Sequence, residues 1–168
     1  RRLMMKSSTK LKPLQNSPER TRKIANLIDL YDYAAAQGYD VFFYHFTVDG
    51  LDSLSVQDSD QHCYIAMDPF KVSSSADEFC KGLHEIGHCD TGSFYNRETP
   101  FDIRQKHENI ADKRAIELCI SADELHAAQE NGYTEIWELA EHFGVTEDFM
   151  RKAICWYTHG NLATEWYI

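Results

Sequence analysis

His84-Glu85-Ile86-Gly87-His88 is the stretch from which the fold and the chemistry are read. Its two histidines stand four apart in a segment of helical character, and at about 3.6 residues per turn that spacing puts both imidazoles on one face. Such a pair can share one metal ion. Glu85, next in line, points toward the same cleft, where it can act as a general base without ligating. The pattern fixes only three positions in five, and many helices carry it by chance with both histidines simply packed or solvated, so the surrounding chain has to decide.

A catalytic zinc takes three protein ligands and keeps a fourth position open. Glu108 is the candidate for the third: it follows His88 by twenty residues and falls in a second predicted helix. The intervening loop, with Gly92 and Pro100, can fold that helix back against the first. Asp112 lies one turn beyond Glu108 on the same face, where its carboxylate can accept the other ring N–H of a ligating histidine and fix its tautomer. Ala111 is small enough to let the two helices approach closely. His107 competes with Glu108, but neighbours on a helix point about 100° apart, so only one can face the metal. The phase of Asp112 favours Glu108, which leaves His107 and Tyr95 as candidates for substrate or transition-state contacts. His159 is a further candidate for an oxyanion donor. Cys80 shares the phase of the two histidines, either as a thiolate ligand or, more simply, as a small buried hydrophobe.

Beyond these spacings, His84-Glu85-Ile86-Gly87-His88-Cys89-Asp90-Thr91-Gly92-Ser93-Phe94-Tyr95 and Lys106-His107-Glu108-Asn109-Ile110-Ala111-Asp112-Lys113-Arg114-Ala115-Ile116 resemble the ImmA/IrrE family of cytosolic metallopeptidases. The resemblance spans about Ile24 to Tyr157, and its Glu-x-x-x-Asp element is similar to the gluzincin arrangement of thermolysin-type enzymes. It implies a zinc ion held by His84, His88 and Glu108, with Glu85 as the catalytic base and Asp112 supporting a ligand from outside. It also implies a protein substrate, a helix-turn-helix repressor of a mobile genetic element or stress regulon, whose cleavage switches genes on. Cys119-Ile120-Ser121 departs from the Leu-Met-Pro or Ile-Pro that often follows the second helix in that family, a difference that touches the next turn and not the chemistry. A His₂Glu set accepts manganese or iron as well as zinc.

Working outward, apolar residues at Ile24, Leu27, Ile28, Tyr31 and Ala34 or Ala35 recur at three and four and predict a helix over 21–37, stopped by Gly38. Val41 to Phe46 reads as a strand ended by the turn dipeptide Asp49-Gly50, with further strands at Leu54–Val56 and Cys63–Met67, the last closed by Asp68-Pro69. Ser75-Ala76-Asp77-Glu78 reads as a capping box opening a helix that runs to about His88. Further helices are expected at 103–119, 121–131, 134–143 and 146–159. Strands early and helices late predict an α+β fold: a small antiparallel three-stranded sheet on a mainly helical domain, with the histidine-bearing helix at the centre.

At 168 residues, with 43% hydrophobic and 12% aromatic content, the chain suits one domain with a real core and lacks a membrane span. The division expected is a flexible basic arm over 1–20 and a single metallopeptidase domain over 21–168. Residues 1–23 hold eight Lys/Arg against one acid, leaving nine against twenty-six elsewhere, so the net −10 divides into +7 and −17. An acidic body opposes nucleic-acid binding. Five scattered cysteines with no CxxC pair argue against a disulfide framework, and with no apolar export signal after Arg1-Arg2 the expectation is a cytoplasmic protein.

Trp137 to Phe149 reads like a helix-turn-helix, with Trp137, Phe143, Phe149 and Trp156 as core. Glu147 and Asp148, at the start of its second helix, would meet phosphates, which opposes reading of DNA there and favours helix packing or repressor docking. The rival to a peptidase is therefore a regulator that binds a repressor without cutting it. Such a binder has no need of Glu85 beside two ligands.

Overall fold

Residues 23–162 are described by a computed structural model. Lys23 to Asn26 lie before the first helix, with the Ile24 N–H donating to the Leu118 carbonyl at 2.9 Å, so the predicted helix start at Thr21 is too early. Helix α1 (Leu27–Gln37) begins after Asn26, whose side chain accepts from the Asp29 N–H, and ends at Gly38 with φ 77°. The expected lead-in over 1–20 lies outside the described residues.

Strands β1 (Asp40–Phe43), β2 (Ser53–Gln57) and β3 (Cys63–Met67) form one sheet in the order β1-β3-β2. Here the expectation of an antiparallel sheet is corrected: β2 and β3 are antiparallel, but β1 runs parallel to β3. The reason lies in the segment 44–52, which crosses the end of β3 and does not return as a hairpin. Asp68, directly after β3 and fully buried, pins that crossing. Its carboxylate accepts from the backbone of Phe46 and of Phe70, both at 2.9 Å, while its own N–H donates to the Asp52 carbonyl at 2.8 Å. Alternation then sends Cys63, Ile65 and Met67 into the core and leaves Phe42, Leu54 and Val56 on the outer face.

Helix α2 (Ser75–Thr91) crosses behind the sheet. Its cap is Ser74, one residue before the expected box: the Ser74 hydroxyl accepts from the Asp77 N–H, and Glu78 instead accepts from the Tyr31 hydroxyl of α1. Helix α3 (Phe101–Cys119) packs against α2 so closely that a Cβ on Gly87 would stand 2.3 Å from the Ala111 carbonyl oxygen. Helices α4 (Ala122–Glu130), α5 (Ile136–Phe143) and α6 (Glu147–His159) close the domain, and a Ser121/Glu124 capping box opens α4. The α5–α6 turn runs through Gly144 (φ 66°), buried Val145 and the cap Thr146. Phe149 is core, whereas Trp137, expected to be so, is 56% exposed.

A disulfide joins Cys63 of β3 to Cys89 of α2 across 26 residues, which corrects the expectation drawn from cysteine spacing. The pairing follows from the fold, because the start of the central strand meets the end of α2. Cys80, Cys119 and Cys155 are not disulfide-bonded. Among the described residues no helix is long and apolar enough to cross a membrane.

Candidate metal centre

His84 and His88 lie one turn apart on α2, and their Nε2 atoms are 3.1 Å from each other. From α3, Glu108 brings Oε2 to 3.1 Å from His84 Nε2 and Oε1 to 3.5 Å from His88 Nε2. Each residue thus offers one donor atom, all within 4.8 Å of one another, and the group could hold a metal ion. Ligands about 2.0–2.1 Å from a tetrahedral ion stand about 3.3 Å apart, so the spacing suits one ion among the three.

Both imidazoles are oriented from behind. His84 Nδ1 donates to Asp112 Oδ1 at 2.8 Å, and His88 Nδ1 donates to the Ser93 carbonyl at 2.8 Å. With each Nδ1 committed as donor in those bonds, both Nε2 atoms face Glu108 and are the ring nitrogens that a metal would take. The Ser93 contact is possible because Gly92, in the left-handed region at φ 64°, turns the chain back at the end of α2.

Negative charge surrounds the two imidazoles. Burial by itself would lower the His84 pKa, but hydrogen bonds to Asp112 and Glu108, with the negative charge of Asp112 and Glu85, outweigh it and push the group up to about 10. For Glu108, burial works the other way, and hydrogen bonds from His84, His88 and Tyr95 hold its carboxyl well below the usual carboxylate range. Asp112 is likewise held low against burial by His84 and Lys152. Three carboxylates thus surround two imidazoles, and one of them, Glu108, completes with His84 and His88 a group that could hold a metal ion.

Glu85, 5% exposed, faces the same cleft without belonging to the donor group. Ser53 Oγ donates to its Oε1 at 2.6 Å, fixing the carboxylate beside the space the ligands surround. The cleft, about 350 Å³, is walled by Leu51 to Ser55 on one side and by His84, Glu85, His88, Tyr95 and Glu108 on the other. Tyr95 donates to Glu108 Oε1 at 2.5 Å, and burial and that carboxylate raise its own pKa to about 12. His107 is not among the cleft-lining residues: its ring centroid is 6.3 Å from that of Tyr95, and its buried Nδ1 has no partner among the described residues. Cys80 stands aside too, its sulfur accepting from the Thr146 N–H at 3.3 Å.

Ser53, Ser93 and Lys152 were not singled out from the sequence. Ser93 left a faint signal, being the first residue past the glycine that ends α2. Ser53 left none, since its place beside Glu85 depends on how β2 docks on α2.

Comparison of the chain with protein-family models, with curated proteins and with solved structures finds no match.

Proposed function

We propose that this chain is a zinc-dependent metallohydrolase. More particularly, we propose an endopeptidase of the ImmA/IrrE kind, which cuts a helix-turn-helix repressor and so relieves repression. The observation that carries the reading is Glu85: a buried carboxylate held by Ser53 beside, but outside, a three-residue donor set. A structural zinc site is closed by four protein ligands and has no use for a base.

A zinc ion held by His84, His88 and Glu108 would supply Lewis acidity, bringing a water's pKa toward about 7 and polarising a carbonyl. Glu85 accepts the proton of the attacking water and returns it to the leaving nitrogen. Tyr95 lines the cleft and is the proposed donor to the oxygen that gathers charge, a role that requires its one hydroxyl proton to leave Glu108; His107 does not line the cleft. The other wall supports a peptide substrate. β2 is one of the two edge strands of the sheet and the one that borders the cleft, so an extended peptide can add to it by backbone hydrogen bonds.

The test is to incubate the chain with a helix-turn-helix repressor encoded beside it, with zinc, with a chelator, and with Glu85→Gln. Zinc-dependent cleavage at one site, absent in both controls, is the expected result. Repression relieved equally by the chelated protein and by Glu85→Gln, with no cleavage, would replace the peptidase by a non-cleaving antagonist. Manganese or iron restoring the chelated protein better than zinc would change the metal and leave the mechanism.

A further inference from the structure

Asp112 has two oxygens, and they are held from two different parts of the chain. Oδ1 accepts from His84 on α2, while Oδ2 accepts from Lys152 Nζ at 2.6 Å, and Lys152 belongs to α6, forty residues further on. The Asp112 side chain is only 10% exposed. A carboxylate so buried, behind a cleft that already holds Glu85 and Glu108, is costly without a cation, and Lys152 supplies it. Helices α3 and α6 are tied a second time one residue along, where Lys113 Nζ lies 4.6 Å from the ring centroid of Trp156.

Beside the relay a cavity of about 170 Å³ opens between β2, α2 and α6, lined among others by Cys80, His84, Asp112, Phe149 and Lys152. Without the ammonium on its outer oxygen, Asp112 has room there to turn toward water and release His84. The ring would then be free to rotate and to change tautomer, and a metal ligand that must first be reoriented binds more weakly.

We propose that Lys152 is a positioning residue of the metal centre: by clamping Asp112 it holds His84 in the ligating orientation, so that α6 sets the metal affinity of the site. This rests on the metal reading of His84, His88 and Glu108. Lys152 does not line the cleft, and its ammonium reaches the ligands through Asp112.

The experiment compares the full chain with Lys152→Met and Lys152→Arg, reading zinc affinity by competition with a chromogenic chelator and the visible spectrum of the cobalt-loaded proteins. The imidazole ¹⁵N–¹H spectrum of each metal-free protein is recorded alongside. Lys152→Met should weaken zinc binding by roughly ten- to a hundredfold, alter the cobalt bands and lose the His84 Nδ1–H signal. Lys152→Arg, which keeps the cation, should restore most of all three. Zinc affinity in Lys152→Met equal to or tighter than wild type, or a His84 Nδ1–H signal that persists in it, overturns the proposal. Were wild type to take up no metal, the metal reading would fail by itself, and the imidazole spectra would still decide whether Lys152 positions His84. A lower melting temperature in both variants with unchanged zinc affinity would mark Lys152 as merely structural.

Discussion

The α2–α3 helix pair and the three-stranded sheet share one core, yet they reach their geometry by different routes. On the helices, position follows from counting: His84, His88, Glu108 and Asp112 meet because fours along α2 and α3 are one turn each, and because Gly87 lets Ala111 come close. On the sheet, counting settles only which face a side chain takes. Which strand lies beside which depends on the crossing segment 44–52 and on Asp68, whose carboxylate and N–H pin it. A helical site is thus sensitive to single atoms at the helix contact, and a small sheet to the groups that hold its connections.

The largest effect is expected at Glu85. Glu85→Gln should keep the fold and the metal while turnover falls by roughly a hundred- to ten-thousandfold, as loss of a general base does. Metal content and cleavage rate measured on one preparation check this, and normal cleavage would remove Glu85 from its role.

Next comes the covalent tie between the two regions. A bond closing a loop of 26 residues removes about 3 to 4 kcal/mol of unfolded-state entropy in the chain-entropy model, so Cys63→Ser with Cys89→Ser should lower stability by about that much. In urea melts the stability lost in the double variant should match the loss that reductant causes in wild type. A reduced wild type as stable as the oxidised one would detach this bond from the fold's stability.

Gly87→Ala sharpens the contrast within α2. Its Cβ would press on the Ala111 backbone at 2.3 Å, which cannot yield, whereas a Cβ at Gly82 would meet the flexible end of Leu30. The first should cost about 1–3 kcal/mol or more and impair metal binding, and the second less, with metal binding kept. Equal costs by thermal melting would mean that α3 shifts easily against α2.

The smallest effect belongs to the sheet and appears only in acid. Burial would raise the Asp68 pKa, but the Phe70 and Phe46 N–H groups and His45 outweigh it and hold the group below its ordinary 3.8. A carboxyl depressed on folding contributes stability above its unfolded pKa, and that contribution is lost as pH falls through the folded value. Wild type should therefore lose stability below about pH 4, and Asp68→Asn should flatten that limb of the curve. An unchanged acid limb would assign the loss to other carboxylates.

How much of this was legible in the sequence follows the same division. The donor residues, the helices that carry them and the close approach at Ala111 were readable, since all rest on helical period and residue size. Strand positions at Ser53–Gln57 and Cys63–Met67 were readable from composition, but not the parallel pairing of β1, because nothing in residues 44–52 says that they cross over and do not turn back. The Cys63–Cys89 bond, Ser53 on Glu85 and Lys152 on Asp112 all join residues 26 or more apart, through contacts made after the elements dock. The cap at Ser74, one residue before the expected box, was decided by Tyr31, which takes Glu78 for a bond to α1. Trp137, read as core, is exposed because α5 turns Leu139 and Ala140 inward instead.

The most direct test of the account is metal analysis of purified wild type beside His84→Ala, His88→Ala and Glu108→Ala, each checked for fold by circular dichroism. The account predicts about one zinc ion per wild-type chain and its loss from all three folded variants. Wild type that is folded and free of metal, or zinc retained in full by Glu108→Ala, would contradict it.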